Sequence, residues 1–187
     1  MSGRNYIDMT AATVGTNGYY RNASFAFPAE YSFFFVGYTT RGNSPSGHIA
    51  GLANAGDLVL YIRRTGNSFD ALSGNGVAWK TVSYAEGATT SPRVMELVQD
   101  NAGLGLSTLF TNGTSRGTVA GKSVGNTGLE IGARGDSNTW GGYLGEVLLY
   151  TSPLATLDRQ KIEGYLAWKW GLQTDLPVGH PYLTAAP

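Results

Sequence analysis

An all-β fold, two antiparallel sheets packed as a sandwich with one amphipathic helix near the C-terminal end, is what three features of the sequence predict. Short apolar runs rich in Val, Leu, Phe and Tyr recur about every 8–12 residues, the spacing of a sandwich rather than of alternating strands and helices. Turn residues separate them: the chain holds 27 glycines and 7 prolines, and only 14% of its residues are charged. That mixture fits tight turns and excludes both a disordered chain and a coiled coil. Only one segment, late in the chain, changes from a period of two to a period of 3.6. With 187 residues and no repeat, linker or low-complexity break, residues 1–187 fit one domain whose core needs no covalent staple.

The strands follow in order. The first two are predicted over 5–9 and 19–27, the second stopping at Pro28. Residues 31–40, YSFFFVGYTT, form the strongest early strand. Phe33 and Phe35 share one face and Phe34, Val36 and Tyr38 the other, so both faces are apolar and the strand belongs inside a sheet. Residues 48–53 and 57–64 read as a hairpin across Asn54-Ala55-Gly56. Further strands are expected over 68–72, 77–85 and 92–100. Residues 104–111 and 114–119 flank Asn112-Gly113, a strong hairpin signal because both residue types tolerate positive φ. A strand over 129–133 precedes the last one, 143–150. There Glu146 is the one charge, and Val147 and Leu149 join Phe33 and Phe35 in the predicted core.

The helix is predicted over about 157–170. Thr156 suits the N-cap, Asp158 the positive end of the helix dipole and Lys169 the negative end. Ile162, Tyr165, Leu166 and Trp170 lie on one stripe, which assigns Ile162, Leu166 and Trp170 to the core. Gly171 ends the helix as a residue free to turn left-handed. Gly164 costs roughly 1 kcal/mol against alanine in mid-helix, which predicts a close neighbour there. Residues 172–187 read as an extended tail stiffened by Pro177 and Pro181, with Tyr182 laid onto the body. Trp168 falls off the stripe, so it is either covered by the tail or exposed at a contact.

Taken together, GYLGEVLLY, LDRQKIEGYLAWKWGL and LPVGHPY resemble the closing segment of laminin-G-like domains of the concanavalin A-like superfamily, of the kind found in bacteriophage virion proteins and bacterial surface proteins. The preceding LEIGARGDSNTWGGYLGE is similar to the family's penultimate strand pair. The resemblance covers roughly the last quarter of the chain. It implies a jelly-roll sandwich used for binding or structural cohesion.

Composition narrows the chemistry. Thirteen basic residues balance thirteen acidic ones, with no basic stripe, which disfavours nucleic acid. The chain has no cysteine, so disulfides and thiolate metal sites are excluded. No classical signal peptide is legible at the N-terminus, and no apolar run approaches a bilayer span, so membrane insertion is not expected. Retaining glycosidases need two carboxyls about 5–5.5 Å apart. The alternating acids that supply them in related β-glucanases are absent, so no catalytic residue is assigned and no enzyme is expected.

Three binding chemistries are open. Asp136 with Asn138 could hold calcium, since hard cations collect oxygens; the simpler reading is a polar Asx turn, and otherwise no cofactor is expected. Trp140 beside Arg134, Asp136 and Asn138 combines an aromatic surface with planar polar groups, as sugar sites do, although a tryptophan filling the sandwich core is the better single reading. Trp79 and Tyr84 offer a second aromatic platform. The Arg134-Gly135-Asp136 tripeptide and the two Asn-x-Ser/Thr sequons are short enough to arise by chance.

These readings converge on a binding protein. The closing segment makes a bacteriophage virion surface protein the first expectation, a capsid decoration protein or tail appendage exposed after host lysis. Its partners would be capsid or tail subunits, in a symmetric homo-oligomer. A lectin-like module recognising cell-surface polysaccharide is the alternative.

Overall fold

Residues 31–37 carry large apolar side chains on both faces, and such a strand is stable only where both faces are covered. The computed structural model of the chain covers both. It describes residues 7–8, 20–26, 28–39, 47–54, 57–65, 68–74, 79–85, 91–100, 106–120, 127–134, 138–139 and 141–187. One sheet aligns β1 (Ile7–Asp8), β14 (Gly142–Tyr150), β3 (Tyr31–Thr39), β8 (Arg93–Asp100), β9 (Leu106–Thr111) and β10 (Thr114–Ala120). The other aligns β2 (Tyr20–Ala26), β11 (Thr127–Ile131), β4 (Gly47–Asn54), β5 (Asp57–Thr65), β6 (Ser68–Gly74) and β7 (Trp79–Ala85). A ribbon of β12 (Ala133–Arg134) and β13 (Asn138–Thr139) lies against β4. The ladders are antiparallel throughout the described residues. The two-sheet antiparallel sandwich with one C-terminal helix is therefore observed as expected.

Tyr31, Phe33, Phe35, Met95, Leu97 and Leu109 are buried on the face of the first sheet turned away from the helix. Phe34, Val36 and Val94 point the other way, under Leu166, Ala167 and Trp170 of helix α1 (Thr156–Trp170) and under Leu172 and Leu176 of the tail. The helix and tail thus form a third layer.

Several elements differ in detail from expectation. Thr156 is the first helical residue, and the extended Ala155 takes the cap position without a side-chain hydrogen bond. The start is set from outside instead, because the Leu154 N–H donates to Ser32 Oγ at 2.9 Å and ties the approach to β3. The buried stripe is also rotated: Glu163, Gly164, Leu166, Ala167 and Trp170 face inward, Ile162 is half-buried and Tyr165 is exposed. A charge could occupy the inward position of Glu163 because it meets buried partners, described below. Val147 and Leu149 are half-buried. Among the described residues β1 pairs with β14 at Tyr143 and Leu144. The 3-residue turn Gln173–Asp175 interrupts the expected extended tail.

The glycine expectations resolve physically. Gly171 adopts φ 71° and ψ 34°, and the Leu172 N–H donates to the Ala167 carbonyl at 2.7 Å, a left-handed helix terminus. A Cβ on Gly164 would fall 2.6 Å from Cβ of Tyr182. The mid-helix glycine and the laid-down tyrosine are thus one contact. Trp168 is covered by the same tail, its Nε1 donating to the Tyr182 carbonyl at 2.9 Å.

Asn112 has φ 46° and sits buried in the β9–β10 turn, doubly paired with Val94. Its N–H donates to the Val94 carbonyl at 2.8 Å, and its Oδ1 accepts from the Val94 N–H at 2.9 Å. Asn112→Ala should cost about 2 kcal/mol, combining left-handed strain with an unpaired buried N–H. Asn112→Gly should recover only the strain part. Equal thermal stability of the alanine variant and the parent would refute this account of the turn.

Candidate functional site

The β12–β13 ribbon brings two of the predicted site residues together. Arg134 and Asn138 are directly opposed across it. Asp136 and Trp140 lie outside the described residues. Directly after the ribbon the chain turns through Gly141, at φ 47°, into β14. There the ring of Tyr143 stacks on Tyr38 with centroids 4.8 Å apart and planes 23° from parallel. Tyr143 follows Asn138 by five positions, so the chain itself holds ribbon and stack within about 17 Å. Sequence reasoning missed this pair, because Tyr38 and Tyr143 meet only through the register that opposes them.

Trp79 and Tyr84 lie on β7, an edge strand of the second sheet. The ladder to β6 is unbroken from Ser68 opposite Ala85 to Gly74 opposite Trp79.

A second constellation was not anticipated. On the outer face of the first sheet, Glu96 of β8 accepts from Arg159 Nη1 at 3.3 Å, and the same nitrogen donates to Glu163. His180 Nε2 lies 3.0 Å from the other Glu163 oxygen. The Tyr182 N–H donates to His180 Nδ1 at 3.2 Å, so this geometry assigns the neutral tautomer protonated on Nε2. Both carboxyl side chains are enclosed, at 1% exposure for Glu96 and 0% for Glu163. Burial, reinforced by the neighbouring Glu163, holds the Glu96 carboxyl well above the usual carboxylate range, against the opposing pull of Arg159. The guanidinium also lies 4.0 Å from the centre of the Phe110 ring. Only the i, i+4 spacing of Arg159 and Glu163 was legible beforehand.

Glu146, at the outer edge of this layer, is partly open. Partial burial alone would raise its carboxyl, but hydrogen bonds from Lys169, Trp170 and Tyr165 outweigh that and lower it. Lys169 Nζ approaches it at 2.9 Å and Trp170 Nε1 at 3.2 Å. Among the described residues no group of three or more His, Asp or Glu is placed to hold a metal ion, and no helix is long and apolar enough to cross a membrane.

No protein-family model matches the chain. No curated protein matches it in sequence. Solved structures do match in fold. A structure concerned with the cell entry of botulinum neurotoxin type C, which depends on two ganglioside molecules, aligns with TM-score 0.60 at 10% identity. That match covers 75% of this chain and 36% of the toxin chain. The receptor-binding domain of botulinum neurotoxin type G gives TM-score 0.61 at 11% identity, over 81% of this chain and 41% of that one. The carbohydrate-binding domain (CBM40) of a Ruminococcus gnavus IT-sialidase, bound to α2,3-sialyllactose, gives TM-score 0.58 at 13% identity. It is covered over 81% of its length by 71% of this chain. At these identities the likeness is one of fold, and the chain spans well under half of the toxin chains.

Proposed function

We propose that this chain is a non-catalytic carbohydrate-binding module that recognises cell-surface glycans through the rim carrying the β12–β13 ribbon. The observation that carries the reading is the fold match with the sialidase carbohydrate-binding domain, which extends over 81% of that domain. The ganglioside-dependent toxin points the same way. Fold does not fix function, so the site must supply the rest. Arg134 opposite Asn138 brings hydrogen-bonding groups to one ribbon, with Trp140 two residues on and the Tyr38–Tyr143 stack at the start of the next strand. Polar planar groups beside aromatic surface are the elements of a sugar site. Glu96 and Glu163 share Arg159 but are enclosed under the helix and tail, so this carboxyl pair is not placed to cleave a glycosidic bond.

On this reading Arg134→Ala and Trp140→Ala each weaken glycan binding at least about tenfold, or roughly 1.4 kcal/mol, by titration calorimetry. Trp79→Ala should leave affinity within about twofold. The reverse pattern would move the site to β7 and overturn the rim assignment. Loss of binding on calcium chelation would assign Asp136 and Asn138 the role of cation ligands.

A second reading, a bacteriophage virion surface protein docked on capsid or tail subunits as a homo-oligomer, rests on the resemblance of the closing segment. The two are compatible, since a virion protein can carry a glycan-binding domain. Capsid, portal or tail genes beside this one would favour it.

A further inference from the structure

The C-terminal tail covers a buried cluster that is not electrically balanced when every acid is ionised. Glu96 comes from β8, Arg159 and Glu163 from the helix, and His180 from the tail. The charged groups that act most strongly on Glu96 are Glu163 and Arg159; Phe34 and Phe110 flank Glu96 in register, and Gly113 of the β9–β10 turn lies under Glu163 and His180. Because His180 Nδ1 accepts from the Tyr182 N–H, the imidazole is neutral. Arg159 contributes one positive charge, so two ionised carboxylates would leave the enclosed site with one net negative charge. Such a charge is expensive to bury without a partner. One additional proton on the carboxyl pair makes the cluster neutral. Glu96 Oε1, buried without a hydrogen-bond partner, is an atom free to carry it.

We propose that the tail is held by a proton-linked latch, in which docking of His180 and Tyr182 requires one proton kept between Glu96 and Glu163. The contacts that would open are specific. They are His180 to Glu163, the Tyr182 N–H to His180, the Tyr182 ring over Gly164, and the Trp168 indole to the Tyr182 carbonyl. The upward displacement of the Glu96 carboxyl by burial has the direction that this charge count requires. The sign follows. A carboxyl whose pKa is raised in the docked state stabilises docking fully below its undocked pKa. That stabilisation is lost as pH rises through the docked value. The latch is therefore tight in mild acid and loosens toward alkaline pH.

Native-state hydrogen exchange of the Tyr182 amide and the Trp168 indole N–H tests this, read as protection factors so that the ordinary pH dependence of exchange divides out. Protection should fall about tenfold per pH unit between the undocked and the docked pKa of the pair, the slope of one released proton, and level off above the docked value. Glu96→Gln carries a permanently neutral side chain of the same shape, and should keep protection high and flat with pH. A parent chain with flat protection up to pH 9, or a Glu96→Gln variant with the parent's slope, would overturn the latch. If the variant does not fold, a carbon-detected titration of the Glu96 carboxyl in the parent decides. Titration above the ordinary carboxylate range supports the proposal, and a carboxyl ionised throughout pH 5–9 refutes it.

Discussion

Glu163→Ala should destabilise the protein by about 3–5 kcal/mol, the range for breaking a buried ionic network by removing one partner. The Glu163 carboxylate is fully enclosed and accepts from Arg159 on one oxygen and His180 on the other. Without it the guanidinium, only 11% exposed, keeps Glu96 as its remaining carboxyl partner. The His180 Nε2–H loses its acceptor altogether. The damage should therefore reach beyond the helix, releasing the tail from Pro177 to Tyr182 and uncovering Trp168. Urea denaturation followed by tryptophan fluorescence would measure it. A loss below about 1 kcal/mol would mean that the cluster is solvated and not the anchor described.

Trp170→Ala should cost a similar amount, about 3–5 kcal/mol, for a different reason. Its ring lies directly on β14, where a Cβ on Gly145 would come within 2.9 Å of Cη2 and Cζ2. It packs in the same cluster as Phe34, Val36, Leu172 and Leu176. Removing it opens a cavity between helix and sheet that a rigid strand on one side cannot fill. Loss of the hydrogen bond to Glu146 adds little, because Lys169 and Tyr165 still bind that carboxylate. Trp168→Ala, half-buried under the tail, should cost less. Equal effects of the two substitutions on thermal stability would contradict the assignment of Trp170 to the core and Trp168 to the tail contact.

The sequence disclosed what local periodicity controls. Alternation on both faces of residues 31–36 placed β3 inside a sheet, and the structure sets it between β14 and β8. The Asn112-Gly113 dipeptide gave the β9–β10 turn, and Gly171 the helix end. Gly164 carried information about a distant residue, because only a glycine admits the Tyr182 ring. What stayed hidden depends on register and long-range contact. Tyr38 and Tyr143 stack across strands more than a hundred positions apart in the chain, and no spacing rule connects them. The inward turn of Glu163 opposed the apolar stripe read from Ile162 and Tyr165, because its partners Glu96 and His180 come from other segments. Of the candidate rim, the structure opposes Arg134 and Asn138 across the β12–β13 ribbon; Asp136 and Trp140 lie outside the described residues.

The most direct test of glycan recognition is a glycan array probed with the purified protein, once with calcium and once with chelator. The account predicts saturable binding to a subset of cell-surface glycans. The absence of binding to any glycan at high micromolar protein, in either condition, would contradict it.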